Sequence, residues 1–503
     1  MKQEQGLTRR RFLGRAAAAA TAVSIAPREM LGGPRFVPPS EKICVGYVGC
    51  GSQGLRQLMP ALQNPNLRIT AVCDPNRRGD DYPEWSRHEL NEKVRRFLDD
   101  PSWARNARGG LCGREVGREI VERHYSRRKG SGRVRCAAYA DFREMLAREK
   151  DLDAVYIMTP EHLHGVIAVR SMRAGKHVIT HKPMANVLHE ARVARDTARQ
   201  TKAATHLFCA ADRPTTPLIR QWIRSGLIGP VREVHNWSTR PFWPQGMTER
   251  PAGRPPAPEG FEWKLWLGPV PDLPYHPAYT HAVFRGWIDF GTGALGDMGH
   301  YSFRQIFEIL DLGAPSTVEA NRSQYWSIEN FTWRKHVNRL SWPRASMIRW
   351  EFPARGQAPP VALHWYDGGL RPPTPPELEA DGEPMPAEGL LFVGDRGKLL
   401  ADFTGGRPRL LPKARMRDLR PPQAAGPSPV PELEQWIRAC RGGAESSASF
   451  ERAYPFAETI LLGTIALRAE GKLRWDAARM RFENSEEANR LMFRPRYRPG
   501  WEI

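Results

Sequence analysis

The apolar run KICVGYVG at 42–49 leads into the turn CGSQG, an amphipathic stretch LRQLMPALQN, and a second apolar run, LRITAVCD, which ends at Asp74. Short apolar runs bounded by turn residues predict buried strands, and the amphipathic stretch predicts a crossover helix, so this segment reads as one βαβ unit. A polar and basic segment, 76–133, then interrupts the alternation, with helical spacing in LNEKVRRFL and GREIVERHYSRR and glycine-rich breaks near 109–113 and 130–132. Alternation resumes with helix DFREMLARE, strand DAVYIMTP (153–160), helix VIAVRSMRAG, strand KHVITHKP (176–183), helix ANVLHEARVARDTARQT and strand ATHLFC (204–209). Apolar strands separated by helices predict a parallel sheet covered on both faces.

Past about residue 230 aromatic and β-branched residues take over, in VREVHNWSTRPFW, STVEANRSQYWS, ASMIRWEF and VALHWYDGG. Period-two spacing at Ile348, Trp350 and Phe352, and again at Val361, Leu363 and Trp365, predicts strands with one buried face in a mostly antiparallel sheet. GLLFVGDRGKLLADF adds a hairpin around Gly394-Asp395-Arg396-Gly397. Pro- and Gly-rich stretches at 244–260, 353–360, 371–388 and 405–429 read as loops, and FERAYPFAETILLGTIALRAEG (450–471) as a helix packed across a domain surface.

With 503 residues, 41% of them hydrophobic and 16 of them tryptophan, the chain is globular and long enough for two domains. The net charge of +20 raises the question of nucleic acid or an acidic surface. The basic residues are spread along the chain, however, with local clusters at 8–15, 105–135 and 406–420 and no recognisable nucleic-acid module, so no nucleic-acid partner is expected. The seven cysteines (44, 50, 73, 112, 136, 209, 440) form no C-x-x-C pair and are odd in number, so neither a zinc ribbon nor a disulfide scaffold is indicated. At the amino terminus LTRRRFLGRAAAAATAVSIAP carries Arg9 and Arg10 ahead of Phe12-Leu13 and an alanine-rich run interrupted by Arg15. The run is too short to span a membrane and resembles a twin-arginine export signal, with 1–41 as signal and linker and an exported, periplasmic location as the expectation.

Gly49-Cys50-Gly51-Ser52-Gln53-Gly54 is G-x-G-x-x-G between a predicted strand and a predicted helix. The first glycine permits a tight turn, the second a close backbone approach to a pyrophosphate, and the third close helix–strand packing, with the helix N-terminus facing phosphate. Asp74 ends the next strand, where its carboxylate can accept hydrogen bonds from an adenosine ribose and repel a 2′-phosphate. NAD(H) is therefore the expected cofactor, and Arg77 and Arg78 leave NADP(H) open.

VGYVGCGSQG, AVCDPN, DAVYIMTPEHLHGVIAVRSMRAGKHVITHKP and TGALGDMGHY together resemble the Gfo/Idh/MocA oxidoreductases from about Lys42 to the C-terminus. The closing segment KLRWDAARMRFENSEEANRLMFRPRYRPGWEI looks like that of an exported branch of the same family. The resemblance implies an α/β protein with a Rossmann domain at 42–185, a doubly wound parallel sheet. After it comes an α+β domain at 186–503 for substrate binding and oligomerisation, with an open, mostly antiparallel sheet. It also implies a homo-oligomer and a sugar, cyclitol or glycoside substrate. Lys182 with Pro183 stands at the position of the family's Glu-Lys-Pro lysine, beside the nicotinamide, with His181 in place of the glutamate. Asp297 and Tyr301 match the family's Asp and the base four residues after it. Pro160, His164 and His181 fall on the nicotinamide side of the same site.

These residue types make a coherent hydride-transfer site. Removing hydride from a secondary alcohol requires a base for its proton, and a phenol at Tyr301 beside Lys182 is expected to be made more acidic by that cation. Asp297 would orient the lysine or a sugar hydroxyl. His300, about 100° from Tyr301 on a helix, remains a second candidate base. His162, His164, His177 and His181 have poor spacing for metal ligation and no clear carboxylate partner, so no metal is expected. Arg240, Arg285 and Asp289 are candidate polar contacts to substrate, among aromatic stretches around Trp237, Phe242-Trp243, Trp263 to Trp266 and Trp287. Two rival readings stand beside the oxidoreductase: a redox-neutral glycoside hydrolase or lyase using transient oxidation, and a catalytically inactive sugar-binding protein.

Overall fold

The computed structural model describes residues 37–127, 135–209, 212–417, 419 and 429–503. The expected signal at Arg9 and Arg10 lies outside the described residues.

The described residues form two main sheets. The first is built from β1 (Ile43–Val48), β2 (Leu67–Cys73), β3 (Ala137–Tyr139), β4 (Ala154–Ile157), β5 (His177–His181) and β6 (Thr205–Phe208). Its spatial order is 3-2-1-4-5-6 and every pairing is parallel. This is the doubly wound arrangement, whose switch point lies between β1 and β4. Val45, Tyr47, Val155, Ile157, Val178 and Ile179 are wholly buried because helices cover both faces. Among those helices are α1 (Ser52–Gln63), α2 (His164–Arg173) and α3 (Leu188–Thr201). The sheet runs on through β6, so the expected domain boundary at residue 185 falls too early. The Lys-Pro turn interrupts the chain there without ending the sheet, because β6 returns to pair with β5 from Val178–Thr205 to His181–Phe208. The 76–133 segment supplies the expected helices, Glu89–Leu98 and Arg114–Ser126, together with an unforeseen two-stranded ribbon pairing 79–82 with 110–112.

The second sheet comprises β7 (Val231–Trp237), β8 (Thr317–Arg322), β9 (Ser346–Phe352), β10 (Val361–Tyr366), β11 (Gly389–Gly394), β12 (Gly397–Ala401), β13 (Arg409–Leu411), β14 (Leu473–Asp476) and β15 (Arg481–Phe482). It is antiparallel throughout except for one parallel pair, β7 with β10. Ile348, Trp350, Phe352, Leu363 and Trp365 point to one face, as their spacing predicts, and are buried against α4 (Gly293–Leu310) and α5 (Phe450–Ala466). Phe303 of α4 meets Trp350 edge-on at 5.4 Å and Trp365 at 6.0 Å. The helix expected at 450–471 forms as α5, which packs across both α3 and α4 and is almost wholly buried. Past the exposed Glu451 and Arg452 its sequence is apolar on nearly every side, which suits an enclosed helix. Gly463 allows that contact, since a Cβ there would lie 2.4 Å from the Trp350 ring.

Candidate active site

The chain ends of β1, β4 and β5 open at the switch point, and each delivers a functional segment there. After β1 comes the glycine loop. Gly49 has φ +103°, and a Cβ on it would lie 2.5 Å from the Met158 carbonyl carbon; a Cβ on Gly54 would lie 2.1 Å from the Gly49 carbonyl oxygen. Only glycine satisfies both positions, and the loop delivers the N-terminus of α1 to the cleft. Asp74 fastens the loop: its Oδ2 accepts from the Cys50 N–H at 2.7 Å and its Oδ1 from the Asn76 N–H at 2.8 Å. Burial pushes its carboxyl up and these two hydrogen bonds pull it down, with burial the larger effect. A carboxylate offers about four acceptor positions, so Asp74 retains capacity for a ribose hydroxyl.

Gly49, Gly51, Ser52, Gln53 and Gly54 line one cleft together with Asp74, Pro160 and His181. The cleft is also lined by Arg285, one of the suggested polar contacts, and by three residues that were not foreseen: Tyr82 from the ribbon and His281 and Phe284 from the second domain. The Tyr82 and His281 rings lie 3.6 Å apart at 32°, facing Gly51, and the His281 Nε2 is 3.3 Å from Asp81. The segment of the second domain that leads from Gly260 to His281, a strap over the cleft, is pinned to the rim by backbone hydrogen bonds from Arg77 N to Gly260 O and from Glu262 N to Pro75 O, 2.8 and 3.0 Å.

Lys182 directly follows β5, and its N–H donates to Phe208 O at 3.1 Å before Pro183 ends the ladder. Its ammonium is buried, 3% exposed, and donates to the Asp297 carboxylate and, at 2.5 Å, to the Asp297 carbonyl. Arg285 Nε donates to the same carboxylate at 2.9 Å. Burial disfavours every charge in this cluster, yet the two cations hold the Asp297 carboxyl far below its usual range, and Asp297 raises the Lys182 ammonium above its own. The role of the missing carboxylate at 181 thus passes to Asp297. Burial and the adjacent Lys182 keep His181 neutral.

Tyr301, one turn along α4, has Lys182 Nζ 4.9 Å from its ring centroid. The expected increase in acidity is corrected in sign: Lys182 does pull the phenol down, but burial outweighs it and the net shift is upward. His300 faces elsewhere. Its ring lies 6.1 Å from that of Phe456 on α5, its Nδ1 donates to Gly296 O at 2.8 Å, and its Nε2 is enclosed without a partner. Burial holds it down to about 3. His164 is likewise corrected from a cofactor contact to a brace, because Nδ1 lies 2.6 Å from Pro183 O and Nε2 2.8 Å from Thr159 O, joining the ends of β4 and β5. His162 ties the domains together through Trp266 O at 2.9 Å, and His177 accepts from Ala204 N. Arg240 pairs with Glu388 and Asp289 with Arg250, so of the three suggested substrate contacts the structure brings Arg285 alone to the cluster.

Glu161, in the turn after β4, was missed. It is 2% exposed, its Oε2 accepts from Thr292 N and Oγ at 2.7 and 2.6 Å, and its Oε1 has no hydrogen-bond partner, 3.8 Å from Arg285 Nε. Burial pushes this carboxyl up to about 7 despite the neighbouring Arg285. The available signal was a carboxylate directly after the strand-ending Pro160, obscured by the histidines around it.

A doubly wound domain with a glycine-loop cleft, closed by a mixed-sheet domain that contributes a charged cluster, has the architecture to hold a dinucleotide beside that cluster. Residues 118–208 match the NAD-binding Rossmann-fold model of the Gfo/Idh/MocA oxidoreductase family, and residues 216–340 match the C-terminal alpha/beta domain model of the same family. Both matched stretches are thus similar to the Gfo/Idh/MocA oxidoreductases, the first of them to the family's NAD-binding Rossmann fold. Levoglucosan dehydrogenase of Pseudarthrobacter phenanthrenivorans is 31% identical over 112 residues, covering 21% of this chain and 28% of that protein. Glycosyl hydrolase family 109 protein 1 of Shewanella sp. (strain MR-4) is 23% identical over 190 residues, 36% of this chain and 32% of that one. Each matched stretch thus spans less than a third, or about a third, of the relative's own length. The solved WlbA dehydrogenase of Bordetella pertussis, in complex with NADH and UDP-GlcNAcA, shares the fold with a TM-score of 0.52 at 14% identity, over 86% of this chain and 99% of that one.

Proposed function

We propose that the protein is an NAD(H)-dependent oxidoreductase acting on a secondary hydroxyl of a sugar, cyclitol or glycoside. The observation that carries this reading is the buried Lys182–Asp297–Arg285 cluster, which Arg285 joins to the glycine-loop cleft, with Tyr301 against the lysine. A bound nicotinamide supplies the hydride acceptor or donor. The protein's own residues manage the substrate oxygen and its proton. Asp297 keeps Lys182 charged and aimed, and Lys182 stabilises negative charge on that oxygen as it develops. Tyr301 exchanges the proton. Because both Lys182 and Tyr301 hold their protons at neutral pH, the site as it stands is loaded to protonate an alkoxide, that is, to reduce a carbonyl; alcohol oxidation requires the pair to have lost one proton first. Partial similarity to levoglucosan dehydrogenase favours a carbohydrate.

The redox-neutral alternative has one observation in its favour. The strap pinned across the cleft, with His281 on Tyr82, suits a dinucleotide that stays bound through oxidation, elimination and re-reduction. Export through the twin-arginine route, suggested by Arg9 and Arg10, would demand the same retention. Homo-oligomerisation through the open sheet belongs to this reading as well.

The test is to purify the full chain, identify the nucleotide released on denaturation, and follow nicotinamide absorbance across a panel of sugars and glycosides. Sugar-dependent absorbance change that is abolished in Lys182→Ala supports the oxidoreductase. Glycoside cleavage with no net cofactor consumption and with exchange of a substrate C–H supports the alternative. A protein that binds no nicotinamide nucleotide refutes both.

A further inference from the structure

The face of the second sheet opposite α4 and α5 carries a cluster that the active site does not use. His235 on β7 and His364 on β10 are register partners across the one parallel pairing of this sheet. Glu233 precedes His235 by two residues and so projects from the same face. The two imidazoles are stacked, with centroids 4.7 Å apart and planes 16° apart. Glu233 Oε2 lies 3.1 Å from His235 Nε2 and 3.9 Å from His364 Nε2. All three donor atoms fall within 4.8 Å of one another, the grouping of this kind among the described residues.

Two features separate this cluster from an ordinary surface ion pair. His364 Nε2 is enclosed and has no hydrogen-bond partner, although a carboxylate oxygen stands beside it. His235 is oriented through its other nitrogen, with Nδ1 3.0 Å from the Tyr366 hydroxyl, the outer contact that fixes the tautomer of a metal-binding imidazole. Tetrahedral coordination with bonds of about 2.0–2.2 Å puts donor atoms about 3.3–3.6 Å apart, and the two carboxylate–imidazole distances, 3.1 and 3.9 Å, bracket that range.

We propose that Glu233, His235 and His364 bind one zinc-like divalent transition-metal ion, with a water in the fourth position and Tyr366 as a positioning residue. Two imidazoles and one carboxylate suit such an ion and do not suit magnesium or calcium, which take oxygen donors. Bridging β7 and β10 clips together segments 231–237 and 361–366, which are far apart in sequence. The ion lies across the sheet from Asp297, so its role is structural and independent of the reading of the cleft.

The experiment uses the full chain, stripped of metal by chelator and dialysis, titrated with Co2+ by visible absorption and with Zn2+ by calorimetry. One equivalent per chain is expected, with the intense visible bands of low-coordinate Co2+, a raised unfolding temperature, and the same result in Lys182→Ala. The double variant His235→Gln/His364→Gln is expected to lose the stoichiometric site and Tyr366→Phe to weaken it about tenfold or more. Glu233 is half-exposed, so Glu233→Gln preserves the fold and decides the matter if the double variant does not fold. Absence of saturable binding to the parent overturns the proposal. So does binding that is unchanged in Glu233→Gln.

Discussion

Glu161 offers the sharpest quantitative test of the site's electrostatics. Its carboxyl is moved from 4.5 to about 7 by burial, a displacement equivalent to about 3 kcal/mol. The folded protein therefore holds a proton that the unfolded chain releases above pH 4.5. The stabilisation from the protonated form is complete below that pH, is lost as pH rises to about 7, and changes no further beyond it. Glu161→Gln cannot titrate. Its carbonyl keeps the two Thr292 hydrogen bonds, while its amide faces Arg285, a fixed cost of about 1–3 kcal/mol at every pH. The stability gap between parent and variant should thus move by about 3 kcal/mol in the variant's favour between pH 4.5 and 8. Asp367 and Glu458 are also pushed up to about 7 by burial, but both proteins contain them and they cancel in the difference. Urea unfolding followed by tryptophan fluorescence, at steps across that range, reads the gap directly. A gap that moves by less than about 1 kcal/mol, or in the parent's favour, would mean that Glu161 is ionised in the folded protein and the burial argument fails.

Other substitutions probe the neighbouring groups. Asp297→Asn leaves Lys182 and Arg285 facing a neutral amide in a buried site, and should destabilise the fold by about 3–5 kcal/mol in chemical unfolding. Tyr301→Phe should lower single-turnover hydride transfer by about 10²–10⁴. His300→Gln should leave that rate within about tenfold and chiefly lower the unfolding temperature; the reverse ranking would make His300 the base. Alcohol oxidation should accelerate as pH rises above neutrality, since the Lys182–Tyr301 pair must shed a proton, whereas a pH-independent chemical step would contradict the protonation states described above. His281→Ala removes the ring over Tyr82 and should speed loss of bound nucleotide during gel filtration; unchanged retention would show that the strap does not hold the cofactor.

The sequence by itself determined what local physics can encode. G-x-G-x-x-G between an apolar run and an amphipathic one fixes a strand, a tight turn and a helix. The clash of a Cβ at Gly49 or Gly54 with neighbouring backbone explains why those residues and no others serve. Period-two spacing at Ile348, Trp350 and Phe352 fixed which face of the second sheet is buried. Lys182 was legible as the residue delivered at a strand end, and Asp297 with Tyr301 through resemblance to a family pattern.

Tertiary structure decided the charges and the company each residue keeps. Whether Tyr301 becomes more or less acidic depends on a balance between burial and Lys182 that no spacing records, and burial wins. Between His300 and Tyr301, adjacent in sequence, only the packing of α4 between the lysine and α5 assigns one to each side. Glu161 is pushed up by burial, with Asp297 adding to the shift and Arg285 and Thr292 opposing it, and all three of these residues lie more than a hundred positions away. The cluster of Glu233, His235 and His364 exists because a parallel pairing sets β7 beside β10, and strand register between distant segments is a property of the whole fold. Local patterns specify elements, whereas proton affinities and ligand sets depend on desolvation and on contacts between segments remote along the chain.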